Sequence, residues 1–155
     1  MELAAREDID IPIEQAFEIL CDFEQFERAA LRRGAEVSRE DDLQRPGVGA
    51  KWKARFAFRG KYRQLDLKIV EFERPTDMRL TAVVQGITSD IKIELVALSR
   101  TRTRLSVWSH LKSTSLSARL LLKSLKLARS TLTQRMQKRV TKLARSMEDQ
   151  NKRQA

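Results

Sequence analysis

One cysteine and one histidine, Cys21 and His110, are all the thiol and imidazole chemistry this chain can offer. A nucleophile–base pair of the Cys–His kind would have to consist of those two. Cys21 falls inside a helical apolar pattern, where a small buried hydrophobe is the simpler reading. His110 shares strand parity with Arg104, Ser106 and Trp108, which predicts the outer face of a sheet and no pocket in which to act as a base. A lone cysteine excludes an intramolecular disulfide framework, and zinc-ligand spacings are absent. No catalytic residue, metal or cofactor is predicted. What remains is the chemistry of apolar surfaces and of charge.

The formal net charge is +10, and it is not spread evenly. Residues 1–111 hold 19 basic and 19 acidic side chains, whereas residues 112–155 hold 12 basic ones against Glu148 and Asp149 alone. The excess is therefore a local feature attached to a neutral domain. A length of 155 residues suits one domain with its own core. We expect that domain over 1–148, with 149–155 as a disordered tail. No stretch reaches the ~20 apolar residues of a membrane span, and the first residues lack the order of a signal peptide. These features predict a cytoplasmic protein, peripheral at the inner face of the membrane if the basic segment docks there.

The elements that would position a site follow from periodicity. Ile9 and Ile11 end a first strand, and Pro12 opens a short helix carrying Ile13, Ala16, Phe17 and Leu20 at helical spacing. Asp22 can cap a second short helix with Phe23, Phe26 and Ala30, closed by Gly34. Six strands are predicted next, from 35–40 to the run ending at Leu111, joined at Pro46-Gly47-Val48-Gly49, Arg59-Gly60-Lys61, Arg74-Pro75-Thr76-Asp77, Gln85-Gly86 and 99–101. Their alternation leaves one apolar face. From Thr114 to Met147 no Gly or Pro intervenes, and Ala118, Leu121, Leu125, Ala128, Leu132, Met136, Val140, Leu143 and Met147 form one stripe. One helix over 114–147 is predicted. At ~1.5 Å per residue it should overrun a domain of this size by about two turns, leaving Val140, Leu143 and Met147 without cover unless the helix bends.

Three short segments carry a resemblance. Ile11-Pro12-Ile13-Glu14-Gln15-Ala16-Phe17-Glu18-Ile19-Leu20-Cys21-Asp22-Phe23-Glu24, Pro46-Gly47-Val48-Gly49-Ala50 and Glu71-Phe72-Glu73-Arg74-Pro75-Thr76-Asp77-Met78-Arg79-Leu80 stand in the right order and at the right distances. Together they resemble the START/Bet v 1-like (SRPBCC) superfamily, which includes lipid-transfer domains, polyketide cyclases and membrane-docking subunits. The resemblance implies an α+β helix-grip fold: a seven-stranded antiparallel sheet wrapped around a long C-terminal helix, with two short helices after strand 1. It does not imply one chemistry, because such folds host many.

Within that fold the inward strand positions line the expected pocket between sheet and C-terminal helix. They are Trp52, Ala54, Phe56 and Phe58, then Leu65, Leu67 and Ile69, then Leu80, Ala82 and Ile93, then Leu105, Val107 and Ser109. Leu121 and Leu125 face them from the helix. These side chains either fill a core or leave a cavity, and a cavity so lined would take a lipid, isoprenoid or aromatic molecule. Ser109 is the only polar group on the inward faces, with Tyr62, Arg63 and Gln64 nearby. The basic helix has three readings: a solvated face, an anionic membrane surface, or nucleic acid. The last wants stacking aromatics, and none follows Trp108. Leu116, Leu120 and Leu127 fall together opposite the main stripe beside Lys123. With Arg135, Lys138, Arg139, Lys142 and Arg145 they form a candidate membrane or partner surface, self-association included. The expected function is binding or carriage of a hydrophobic small molecule. A cyclase- or dehydratase-type enzyme and a membrane- or protein-docking subunit are the alternatives.

Overall fold

The computed structural model describes residues 1–154. Strand β1 (Glu2–Ile9) is followed by α1 (Ile13–Leu20) and α2 (Phe23–Arg32). Strands β2 (Glu36–Arg39), β3 (Lys51–Phe58), β4 (Lys61–Glu73), β5 (Asp77–Val84), β6 (Ile87–Ser99) and β7 (Arg102–Ser113) come next, and α3 (Leu116–Leu127) and α4 (Arg129–Gln154) end the chain. All seven strands form one antiparallel sheet in the order β1-β7-β6-β5-β4-β3-β2. From β2 to β7 this is a plain meander, and β1 closes it by pairing with the last strand.

The turns explain the registers. Arg59 and Gly60 both have positive φ, as do Gln85 and Gly86. Two successive left-handed residues twist a two-residue hairpin in the same sense as its strands. Ladder irregularities at Ile69/Glu71 and at Ala97/Ser99 bend the two longest strands, β4 and β6, as bulges do. The sheet therefore curves, and its concave face holds the core. Phe17, Ile9, Ile11, Ile69, Leu95, Leu105 and Met147 are fully buried there, and Phe17 meets Phe72 edge-on at 5.3 Å.

The C-terminal helix departs from expectation in two ways. First, it is not continuous over 114–147: it breaks at Ala128, where φ −99 and ψ 16 end α3. Second, the far end is covered. Val140, Ala144 and Met147 are buried, and α4 stays helical to Gln154, past residue 148 where the folded domain was expected to end. The break redirects α4 along β1. Gln137 donates to the Arg6 carbonyl at 2.8 Å and accepts from the Arg6 N–H at 3.1 Å. Arg145 donates to the Asp8 carbonyl at 2.7 Å, and the Asp10 N–H donates to Glu148 at 2.8 Å. Thr141 adds a 2.9 Å bond to Glu7. One polar flank of α4 thus binds the backbone of β1 while its apolar flank enters the core. At the other end, Thr114 donates from both its N–H and its hydroxyl to the Gly86 carbonyl, and Ser115 Oγ caps α3 by accepting from Ala118 N–H at 3.1 Å.

Candidate functional site

Because α4 lies against β1, the half of the concave face over β3 to β6 is left for α2 to cover. Phe23, Phe26, Glu27 and Ala30 recur at the spacing of a single helix face. That face closes a partly open cavity of about 330 Å³. Its other walls are Leu20 of α1, Val37 of β2, Trp52 and Ala54 of β3, and Leu65, Leu67 and Ile69 of β4. Met78, Leu80 and Ile93 form the floor from β5 and β6, and the only contribution of α4 is Leu143. Glu27 is the one charged residue in this wall. Its Oε2 is shielded from solvent and from the cavity, and has no hydrogen-bond partner among the described residues.

One wall is braced by an edge-to-face ring pair and an ion pair. Phe23 and Trp52 meet edge-to-face at 5.0 Å, and the Arg39 guanidinium lies 4.9 Å from the Trp52 ring and 5.5 Å from that of Phe23. Asp41 holds Arg39 Nε at 2.5 Å and also accepts from the Lys51 and Leu43 N–H groups, at 2.7 and 3.0 Å. The hydrogen bond from Arg39, helped by those two amides, brings the Asp41 carboxyl down to about 2.

Of the inward positions predicted from sequence, Trp52, Ala54, Leu65, Leu67, Ile69, Leu80 and Ile93 stand in the cavity wall. The others lie outside it. Phe56 and Phe58 sit toward the β3–β4 turn, where Phe58 is exposed and Arg59 and Arg63 lie over its ring. Leu105 and Val107 belong to the packed core on β7, and Ala82 is buried on β5 beside the wall without forming part of it. Ser109 shares a 2.6 Å hydrogen bond with Ser89, so that hydroxyl is already satisfied. Leu121 and Leu125 are half-buried on α3 and do not reach the cavity. The expected placement between sheet and C-terminal helix is corrected accordingly: the sheet's main partner here is α2. Phe23, Phe26 and Ala30 carried the signal for this in their spacing. Leu20 and Leu143 stood in the predicted helix stripes and Met78 in the alternation of its strand, but nothing local brought them or Val37 into one wall.

The thiol and imidazole stay apart. Cys21 is buried at the end of α1, and burial pushes its thiol up to about 11, so it stays a protonated hydrophobe. His110 pairs across the sheet with Glu2 and Asp90; its Nδ1 is 3.3 Å from Glu2 Oε1 without hydrogen-bond geometry. Trp108 on the same outward parity is exposed beneath the Lys92 ammonium, 5.4 Å from its ring. Among the described residues no group of three or more His, Cys, Asp or Glu side chains could hold a metal, and no helix is long and apolar enough to cross a membrane.

On the outer side of α3, Leu116, Leu120 and Leu127 are 77, 68 and 93 % exposed. At ~100° per residue they fall within about 40° of one another, with Lys123 among them and Ala118 and Leu122 buried on the opposite side. Arg135, Lys138, Arg139 and Lys142 are exposed on α4. Arg145 is engaged: it pairs with Glu148 at 3.1 Å and with Glu7 at 3.5 Å.

An antiparallel sheet gripping a C-terminal helix, with a cavity under a short helix pair, defines the helix-grip fold of START/Bet v 1-like (SRPBCC) proteins, and the chain has that fold. Solved structures similar to it include three that cover most of the chain. The Zhui aromatase/cyclase from Streptomyces sp. R1128 superposes with a TM-score of 0.61 at 11 % identity, over 84 % of this chain and 87 % of that one. Ara h 8.0201 gives 0.58 at 13 % identity, over 83 % and 91 %. A protein from Thermus thermophilus gives 0.64 at 16 % identity, over 96 % and 95 %. No protein-family model and no curated protein matches the chain.

Proposed function

We propose that the chain binds and carries an apolar small molecule (a lipid, an isoprenoid or an aromatic compound) in the cavity beneath α2. The observation that carries this reading is the wall itself: fourteen of its fifteen residues are apolar. A void of this size lined by aliphatic and aromatic groups loses contacts on every side unless something apolar fills it. The cyclase- or dehydratase-type alternative needs an acid and a base within reach of one substrate. Among the described residues the wall has one ionisable group, Glu27, which supports carriage over catalysis. Titration with the lipophilic fluorophore N-phenyl-1-naphthylamine, with native mass spectrometry of the freshly purified protein, tests the reading. Saturable one-to-one binding is expected. Absence of binding by the folded protein would reject it.

A second reading rests on α3. Three exposed leucines on one helix face, with Arg119, Lys123 and Lys126 and no acid in the helix, suit the surface of an anionic bilayer. Each basic residue near such a surface contributes about 1 kcal/mol, and the leucines supply apolar area to insert. Co-sedimentation with phosphatidylserine-containing vesicles at low salt is expected for the intact chain, and should be lost at high salt. It should weaken in a Leu116→Ser/Leu120→Ser/Leu127→Ser variant that keeps its circular dichroism. Equal binding by that variant, or no binding at low salt, would reject membrane docking. A concentration-dependent dimer abolished by the same variant would assign the face to self-association instead.

A further inference from the structure

We infer that the β3–β4 hairpin is a second bilayer-contacting element, so that the end of the sheet carrying this hairpin and the root of α3 faces an anionic membrane. The inference rests on the α3 reading above and specifies the orientation of that docking. In a meander the turns alternate between ends, so the β3–β4 and β5–β6 turns share one end. They are tied together there, because Arg63 donates through Nη1 to the Gln85 side chain. Thr114, just ahead of α3, donates its hydroxyl to the carbonyl of neighbouring Gly86 at 2.9 Å. The exposed Leu116 follows two residues later.

Residues 55–63 hold four cations, Arg55, Arg59, Lys61 and Arg63, and no acid. None of the four has an ion-pair partner among the described residues. Arg63 gives its donors to neutral acceptors, the Phe58 carbonyl and Gln85. Two rings stand among these charges, Phe58 at 49 % exposed and Tyr62 at 68 %. The Arg55 guanidinium lies 4.8 Å from the Tyr62 ring, and those of Arg59 and Arg63 lie 5.3 and 5.6 Å from the Phe58 ring. Such pairs suit the headgroup layer: the ring sits at its apolar boundary while the arginine reaches lipid phosphates and carboxylates. A nucleic acid would use the same cations and could stack on the same rings. It has no use for the leucines of α3, whereas a bilayer takes them in. Unpaired cations and exposed apolar groups on both elements therefore favour the bilayer.

The test is co-sedimentation with vesicles of equimolar phosphatidylcholine and phosphatidylserine at low salt. Arg59→Gln/Lys61→Gln should lower the partitioning of the full chain by about thirtyfold, a factor of roughly five per charge. Phe58→Ser/Tyr62→Ser should weaken it several-fold. Both variants should keep their circular dichroism, since all four side chains are exposed and none belongs to the cavity wall. A second measurement leaves every one of these side chains in place. Exposed Ala57 is replaced, Ala57→Cys, and labelled with a nitrobenzoxadiazole fluorophore, while buried Cys21 stays unlabelled. Its emission should shift to the blue with these vesicles and stay put with phosphatidylcholine alone. Unchanged partitioning of Arg59→Gln/Lys61→Gln, or no shift from the labelled hairpin, would overturn the hairpin's role. If the α3 leucine variant still weakens binding in that case, docking through α3 stands without it. No vesicle binding by the intact chain at low salt would remove both. Binding of oligouridylate that Arg59→Gln/Lys61→Gln abolishes, with no vesicle binding, would assign the hairpin to nucleic acid and overturn the inference.

Discussion

Ala54 sits in the middle of β3, level with Val37 on one neighbouring strand and Leu65 on the other, and faces the cavity with them. Replacing it with Trp sends an indole into the 330 Å³ that a ligand would use. If the ring displaces three ligand methylenes, the loss at ~0.8 kcal/mol each is ~2.4 kcal/mol, or about fiftyfold in Kd. The folded state should lose little, because the ring enters existing space and aromatic residues suit strands. The same residue forced into a filled core would cost ~1–3 kcal/mol through off-rotamer packing and backbone shifts. For a domain of this size that means a fall in Tm of several degrees, at about 2–4 °C per kcal/mol. Titration with N-phenyl-1-naphthylamine and thermal unfolding of the same preparation separate the two cases. An affinity loss of tens of fold with Tm held within about 2 °C is expected. An unchanged Kd with Tm lowered by several degrees would refute the argument, since the volume would then be core that merely looks open.

Two further outcomes concern stability. Gly86 has φ +79, and a Cβ there would lie 2.9 Å from the capping Oγ of Ser115 and 3.1 Å from Ala118 Cβ; Gly86→Ala should therefore cost the backbone term plus a damaged helix cap, together ~2–3 kcal/mol. Gly60→Ala, at φ +76 with nothing within 4 Å, should cost only the first of these, so equal losses of Tm in the two variants would refute the clash. Asp41 is held at about 2 by Arg39, below its unfolded value near 3.8, so its contribution is present above the unfolded value and is lost as pH falls from there toward 2. Urea midpoints of Asp41→Asn should lie below those of the intact protein at pH 7 and converge on them near pH 2; a constant gap across that range would show that the charge is not what matters. Asp8, lowered by its hydrogen bond with Arg104, leaves a residual acid slope in both proteins.

The strands from β3 to β7 were legible because apolar and polar residues alternate along them between turns with their own chemistry. Arg59-Gly60 and Gln85-Gly86 even specify the hairpin type. Positions that depend on which surface meets which were not. Ala128 favours helix by propensity, and the apolar stripe runs straight across it, so nothing local announces the break. The break arises because α3 is pinned at Gly86 while α4 is pinned along β1, and one straight rod cannot serve both. The same geometry moved the cavity. With α4 committed to β1, the exposed concave face passed to α2, whose Phe23, Phe26 and Ala30 were readable as a stripe but not as a roof.

The hydrogen bonds from α4 to Arg6 and Asp8 fall on alternate residues of β1, the sheet's outermost long strand, and the one to Asp10 lies just past its end. Those are the backbone groups that a further strand would seek. The last helix is thereby a guard against recruitment: side chains of Gln137, Arg145 and Glu148 occupy sites where another chain's backbone would otherwise dock. A proteolytic cut before residue 137 would do more than shorten the chain. It would open an eight-residue edge and uncover the core beneath it, turning a self-contained sheet into a template for its neighbours.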